Sequence, residues 1–339
     1  MQLTTTIRAL HPKVVFRISR AQRTEVRNVF VRVEDEGITG YGEASPNAFY
    51  NENADDVQAR LSELAQKLHD VKIRSVADIA RIRDELWPVL SPSRAAQCAV
   101  DVALWDWLAR REDCTVCELA WGQRPHPFTT FMTIGISSPE ELEAKVAELH
   151  GFPLIKIKSD AGADLAPVRF VHDRTGAALA IDANCAWGGH DVAVLARQLA
   201  GPGVKFIEQP FAPGEDARMP ALLAASPLPV IADESCVVTE DVERMPGSFS
   251  GFNIKLTKCG GLTPALAMLR RARELGLQTM VGCMLESSVL IAAGAVIAQI
   301  TDYADLDGAW LLADDPARGW GFDRGRLYPE PAPGLGVEI

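Results

Sequence analysis

From Phe128 to Asp307 the chain repeats one pattern, a short apolar run followed by a segment with helical spacing. The runs are Phe128–Gly135, Leu154–Lys158, Ala178–Asn184, Lys205–Pro210, Pro229–Glu234, Phe252–Leu256, Gln278–Met284 and Ala304–Asp307. Continuous apolar strands must be covered on both faces, which calls for a parallel sheet with helices packed over it. Eight strand–helix units over about 180 residues favour a closed (β/α) barrel. The helical segments carry start signals. Ser138-Pro139-Glu140-Glu141 places a cap, a first-position proline and a capping-box acid in register.

Upstream the pattern differs. Val14–Ile18, Val29–Val33 and Gly37–Glu43 read as an antiparallel meander. Two polar loops lie beside it, 19–25 with two arginines and 45–54 with aromatics at its centre. Either could serve as a solvated turn or as a lid. From Ala54 to about Trp121 the period becomes helical, with Val57, Leu61, Leu64, Ala65 and Leu68 on one stripe and Ala95–Ala109 forming an apolar, small-residue helix. Gly122 to Pro127 reads as a linker. The expected division is an α+β capping domain over 1–123, a barrel over 124–313, and a Gly/Pro/Asp-rich tail over 314–339 that returns to the capping domain.

Composition excludes several classes. Net charge is −11, which argues against nucleic acid or an anionic membrane as partner. The longest apolar stretch, Val289 to Ile300, is too short to span a bilayer and reads as a buried helix. Arg8 and Lys13 interrupt any secretory apolar run. Seven cysteines include one C-x-x-C, Cys114 to Cys117, inside a helical pattern, so packing is preferred over zinc and a reducing cytoplasm is the expected compartment. Assembly into a homo-oligomer is also expected.

In such barrels the chemistry gathers at the C-terminal ends of the strands. Those ends carry Lys156 and Lys158, then Asp182 and Asn184, Glu208, Asp233 and Glu234, Lys255, Cys283, and finally Asp305 and Asp307. Asp182, Glu208 and Asp233 follow one another at intervals of 26 and 25 residues, one strand–helix unit apart. Three convergent carboxylates repel one another unless a cation neutralises them, and oxygen-only ligands select Mg²⁺ first and Mn²⁺ second. Such an ion can chelate a substrate carboxylate and stabilise the enediolate left when the α-proton departs. Lys158 is the candidate base, with Lys156 as the like charge that lowers its pKa. Lys255 arrives from the opposite side of the barrel. Two lysines on opposite faces of a planar enediolate would remove a proton from one side and return it on the other, which is racemisation or epimerisation. The six histidines, at 11, 69, 126, 150, 172 and 190, avoid every strand end, which counts against a zinc-type barrel hydrolase.

These motifs resemble the enolase superfamily in its muconate lactonizing enzyme subgroup. The resemblance rests on Ala99-Val-Asp-Val-Ala-Leu-Trp-Asp106, Lys156-Ile-Lys158, Asp182-Ala-Asn184, Ile207-Glu-Gln-Pro210, Ala232-Asp-Glu-Ser235 and Asn253-Ile-Lys-Leu-Thr-Lys-Cys-Gly-Gly261. It implies a modified TIM-like (β/α)8, or (β/α)7β, barrel with a capping domain. It implies Asp182, Glu208 and Asp233 as Mg²⁺ ligands, with Lys158 and Lys255 as the acid/base pair. Asp305-Leu-Asp307 resembles the D-x-D of dipeptide epimerases, which holds a dipeptide's α-ammonium; Ser235-Cys236 and Gly282-Cys-Met-Leu285 also resemble that group and place Cys283 and Met284 at the substrate. The implied substrate is L-Ala-D/L-Glu or another L-Xaa-L-Xaa dipeptide from peptidoglycan peptide metabolism. A substrate Glu side chain would need a cation, Arg20 first and Arg23 second. N-acyl amino acid racemase, o-succinylbenzoate synthase and muconate cycloisomerase activities are the alternatives on the same scaffold.

Overall fold

A computed structural model of the 339-residue chain describes residues 1–68 and 71–339, so His69 lies outside the described residues. The capping unit begins with β1 (Gln2–Leu10), β2 (Phe16–Ile18), β3 (Ala21–Arg23), β4 (Val26–Asp35) and β5 (Ile38–Ala44). Its main sheet is antiparallel in the order β1-β4-β5, with Gln2 opposite Glu34 and Leu10 opposite Val26. The expected first strand, Val14–Ile18, is therefore not part of the meander. Gln2–Leu10 takes that place, because Leu3, Thr5 and Ile7 alternate and threonine, though polar, is β-branched and suits a strand. Phe16–Ile18 instead pairs with Ala21–Arg23 as a separate two-stranded hairpin, so the first polar loop is partly strand. In the second, Ala48–Tyr50 forms a single 3-10 turn.

Four helices complete the unit: α1 (Ala54–Ala65), α2 (Val76–Leu90), α3 (Arg94–Arg111) and α4 (Val116–Trp121). The stripe on α1 is buried at Val57, Leu61 and Leu64. Residues Ala95–Ala109 of α3 are all buried, and the helix lies unusually close to β5. Only glycine permits this approach: a Cβ on Gly42 would stand 1.9 Å from the Ala99 carbonyl oxygen, and one on Gly40 would stand 2.3 Å from that of Ala103.

The sequence expectation of one strand at Phe128–Gly135 resolves into two. The first piece, β6 (Phe128–Thr129), leaves the barrel and pairs with the tail; the second, β7 (Met132–Ile134), opens the barrel sheet. There follow α5 (Pro139–Glu148), β8 (Leu154–Lys158), α6 (Ala166–Thr175), β9 (Ala178–Asp182), α7 (Val192–Ala200), β10 (Val204–Glu208), α8 (Met219–Ala225) and β11 (Val230–Ala232). The crossover after β11 is only a 3-10 segment, Thr239–Arg244. Then come β12 (Gly251–Lys255), α9 (Leu256–Cys259), α10 (Leu262–Leu275), β13 (Gln278–Gly282), α11 (Ser288–Ala298), β14 (Tyr303–Asp305) and α12 (Gly308–Leu311).

Strands β7 to β14 form one parallel eight-stranded sheet in sequence order. Its two edges meet through the Phe131 amide, which donates to the Ala304 carbonyl at 2.8 Å, and the Leu306 amide, which donates to Thr130 Oγ1 at 2.7 Å. The fold is thus an α/β barrel with a separate α+β unit over it. Ala180, Phe206, Ile231 and Met280 from the strands pack together with Phe131, which directly precedes β7. The apolar α11 is buried, and no helix of the described residues is long and apolar enough to cross a membrane.

After α12 the chain runs back through β15 (Gly321–Asp323) and β16 (Arg326–Tyr328), the latter pairing with β6. The tail then meets the capping unit. The buried Asp106 carboxylate on α3 accepts from the Leu335 amide at 2.7 Å, from the Tyr41 amide at 2.9 Å and from Arg110 Nε at 2.9 Å. Because β5 and α3 have no space between them, Gly42→Ala is expected to destabilise the protein by about 3 kcal/mol; a lowered thermal midpoint checks this, with Gly37→Ala, which meets nothing within 4 Å, as a milder comparison for positive-φ strain alone.

Candidate active site

Parallel strands in register bring their last residues to one level. Lys158 is paired opposite Asp182, Asp182 opposite Glu208, Lys255 opposite Gly282, and Gly282 opposite Asp305. Asp233 follows directly after β11. Asp182, Glu208 and Asp233 each offer an oxygen within 4.8 Å of the others, and all three side chains are buried. Like charges at this separation repel by about 3 kcal/mol per pair at an effective dielectric near 20.

Four lysines answer that charge. Lys158 Nζ lies 2.5 Å from Asp182 Oδ2, and Lys255 Nζ lies 2.7 Å from Asp233 Oδ2. Lys156 Nζ bonds Asp305 Oδ2, with Glu208 Oε2 at 3.2 Å and Asp182 Oδ2 at 3.8 Å. Lys258, which the sequence reading passed over, donates to Asp233 Oδ1 and to the Asp233 carbonyl at 2.6 Å, and to the carbonyls of Cys236 and Asn253 at 3.1 Å. Burial alone would raise the Asp233 carboxyl, but Lys255 and Lys258 hold it far below the usual range. Burial likewise opposes ionisation of Asp182, and Lys158 and Lys156 override it. Glu208 stays raised, by burial and by the Asp182 charge. Burial works against the Lys156 ammonium, yet Asp305, Glu208 and Asp182 raise its pKa well above normal. Lys156 thus spreads its charge over three carboxylates.

The donor set fits a hard divalent cation: three carboxylates, with no sulfur or imidazole among them. Buried acceptors without partners stand beside it, Asn184 Oδ1, Asn253 Oδ1 and Glu234 Oε2, suited to the waters of a hydrated ion. Cys114 and Cys117, by contrast, are free thiols on the capping unit.

A cavity of about 650 Å³ opens above the carboxylates, between the strand ends and the capping unit. Lys156, Lys158, Asp233, Lys255, Cys283, Met284, Asp305 and Asp307 line its floor and wall, while Phe16, Ile18, Arg20, Arg23, Phe49 and Tyr50 come from the hairpin and the 3-10 turn. Asp307 Oδ2 accepts from the Thr133 amide at 2.7 Å and Asp305 Oδ1 from Thr133 Oγ1 at 3.4 Å. Arg20 bonds the buried Glu234 carboxylate, donates to the Asn184 carbonyl at 3.0 Å and stacks 4.4 Å above the Phe49 ring. Burial pushes the Tyr50 hydroxyl up.

The sequence reading also missed the clasp that seats the loop after β13. Glu43 on β5 accepts from the Ser287 amide at 3.1 Å and from Ser287 Oγ at 2.5 Å, and Asn28 on β4 donates to Glu43 at 2.7 Å and to the Leu285 carbonyl at 3.0 Å. Burial pushes the Glu43 carboxyl up to about 7. The available signal was an acid inside an apolar strand, Tyr41-Gly-Glu43-Ala, which the alternation left unexplained.

Two family models cover this chain: mandelate racemase/muconate lactonizing enzyme, N-terminal domain, over residues 2–120, and enolase C-terminal domain-like over residues 140–339. The chain belongs to this family. It is similar to an L-Ala-D/L-amino acid epimerase from Maribacter, 38% identical over 94% of this chain and 93% of that one. An enolase family member from Agrobacterium tumefaciens with homology to dipeptide epimerases, holding sodium and L-Ala-L-Glu, is 35% identical with a TM-score of 0.87 over 96% of this chain and 97% of that one. A dipeptide epimerase from Methylococcus capsulatus, complexed with Mg and L-Arg-D-Lys, is 31% identical with a TM-score of 0.92 over 100% and 99%.

The four lysines are not equivalent within this family member. Lys258 does not line the cavity, and its bonds go to main-chain carbonyls as well as to Asp233. Lys258→Met is expected to cost about 3–5 kcal/mol, because it leaves a buried carboxylate and three carbonyls short of a donor. Chemical denaturation should show this loss in stability.

Proposed function

We propose that this protein is a Mg²⁺-dependent dipeptide epimerase that inverts the α-carbon of the C-terminal residue by 1,1-proton transfer. The carrying observation is the flanking of one carboxylate cluster by two lysines, Lys158 on Asp182 and Lys255 on Asp233. Asp182, Glu208 and Asp233 are the groups that would hold the ion. When bound, Mg²⁺ supplies Lewis-acid stabilisation to a substrate carboxylate, which acidifies the adjacent α-carbon.

The residues do the rest. Lys158 and Lys255 each rest on a carboxylate that would hold the ion, and each ammonium would give up that partner with the ion bound. One lysine then takes the α-proton from its side of the planar carbon and the other delivers a proton from the opposite side. Asp305 and Asp307, at the end of β14, supply negative charge for the dipeptide's ammonium, a charge that an N-acyl substrate lacks. The hairpin and the 3-10 turn close the cavity over the side chains and limit water at the reacting carbon.

Selection among side chains falls to the capping unit. Arg20 is committed to Glu234 and Asn184, so an acidic substrate group would have to compete for it. Arg23 lines the same cavity and has no acidic partner among the described residues. We assign to Arg23 the binding of a carboxylate side chain, which makes an Ala-Glu type dipeptide the preferred substrate class. The unpaired thiols of all seven cysteines suit a reducing cytoplasm.

Incubation with a dipeptide library and Mg²⁺ in D₂O should place one deuterium at the C-terminal residue's α-carbon, read by mass spectrometry; no exchange with any dipeptide would sink the reading. Lys158→Ala and Lys255→Ala should each lower epimerisation by at least about a hundredfold, while either variant retains α-proton exchange with one epimer. Arg23→Ala should raise KM about 10- to 100-fold for dipeptides ending in Glu and leave apolar dipeptides unchanged, the size expected for one charged hydrogen bond. Equal effects on both substrate sets would remove Arg23 from that role.

A further inference from the structure

Gln209 follows Glu208 directly, just past the end of β10. Its φ is 37°, in the left-handed region that a residue with a side chain seldom adopts, and it is fully buried. Such a conformation persists only where the surroundings hold it. Here the side-chain amide has every hydrogen-bonding position filled. Oε1 accepts from the Asp233 amide at 2.8 Å and from the Ser235 amide at 3.1 Å. Nε2 donates to the Phe211 carbonyl at 2.7 Å and to Ser235 Oγ at 2.8 Å. Ser235 Oγ in turn donates to Asp216 Oδ1 at 2.8 Å.

The main chain of the same residue completes the link. Its amide donates to the Ile231 carbonyl at 2.9 Å, and its carbonyl accepts from the Cys185 amide at 2.8 Å. The register of β10 with β11 ends at Glu208 opposite Ile231, and the Asp233 amide beyond it is taken by a side chain instead of a strand. Three strand ends therefore meet on one residue: β9 through Cys185, β10 through the peptide bond to Glu208, and β11 through Asp233. These are the ends that carry the three carboxylates.

Lys258 also holds Asp233, but partly through Oδ1, an oxygen of the cluster itself. The Gln209 side chain grips Asp233 by its main-chain amide, so it fixes where the carboxylates stand without competing for a cation. How firmly they stand bears on which ion they take. Mg²⁺ demands near-octahedral oxygens at about 2.0–2.1 Å, whereas Ca²⁺ accepts six to eight oxygens at about 2.3–2.6 Å in flexible geometry. A cluster that loosens loses the smaller ion first.

We propose that Gln209 is a positioning residue that sets the spacing of Glu208 and Asp233, and thereby the preference of the cluster for Mg²⁺ over Ca²⁺. This rests on the reading of the three carboxylates as a cation site and needs no dipeptide.

Isothermal titration of the full chain with Mg²⁺ and, separately, with Ca²⁺ tests the assignment without substrate. Gln209→Met is close in volume and removes all four side-chain hydrogen bonds. It should weaken Mg²⁺ binding about 10- to 100-fold, the range for losing a partner behind a ligand, and Ca²⁺ binding by no more than about threefold. Ser235→Ala keeps both main-chain amides on Gln209 and takes away the hydroxyl that steadies its Nε2. It should lower the ratio of Mg²⁺ to Ca²⁺ affinity about threefold, in the same direction, and it decides the matter alone if Gln209→Met does not fold. A glutamine that only braced the barrel would lower the thermal midpoint of the ion-free protein and leave that ratio where it was. An unchanged ratio in the folded variants would therefore overturn the assignment and leave the cation site standing. Failure of the unaltered protein to bind either ion would remove the cation reading and the assignment with it.

Discussion

Three carboxylates sharing one buried point are the constraint around which this barrel is arranged. Asp182, Glu208 and Asp233 cannot all ionise in a dry cavity without compensation, and burial by itself would protonate them. Four ammonium groups answer that charge, Lys156 and Lys158 from β8, Lys255 from β12 and Lys258 from α9. Two of these contacts are suited to exchange for a divalent ion. The other two are anchored elsewhere, Lys156 on Asp305 and Lys258 on main-chain carbonyls. The same electrostatic problem therefore has a structural half and a chemical half.

The barrel floor carries the carboxylates and lysines, and the capping unit covers them. That unit grips the barrel in two places. Glu43 and Asn28 hold the loop that carries Cys283 and Met284, so one wall of the cavity is set by an interdomain clasp. Arg20 and Ser19 hold the hairpin to the Asn184 carbonyl, two residues beyond Asp182. Both grips end on loops that follow barrel strands. A change in the capping unit can thus re-aim side chains in the cavity while the carboxylates and lysines stay in place.

Much of this was legible before any coordinates. Eight apolar runs, six of them with a charged residue at the strand end, announced the barrel. The strand at Gln2–Leu10 was not legible, since three threonines hid its alternation, and the hairpin at Phe16–Arg23 took the place assigned to the first strand of the meander. Lys258 and Glu43 were given no role for a related reason. A charged residue one helical turn past a strand, or within one, shows no period of its own and acquires a role only from partners distant in the chain.

The sequence alone determined the architecture, the identity of the acids and lysines at the strand ends, and the type of ion they suit. These follow from periodicity and from charge placed at fixed points of a repeating unit, which are local properties. Only the tertiary structure decided how those groups pair: that Lys156 leans on Asp305, and that Arg20 is spoken for by Glu234 while Arg23 has no acidic partner among the described residues. Pairing among buried charges depends on distances of a few ångströms between residues more than a hundred positions apart. Such distances are set by the closure of the barrel and the seating of its cap, and no stretch of sequence carries them.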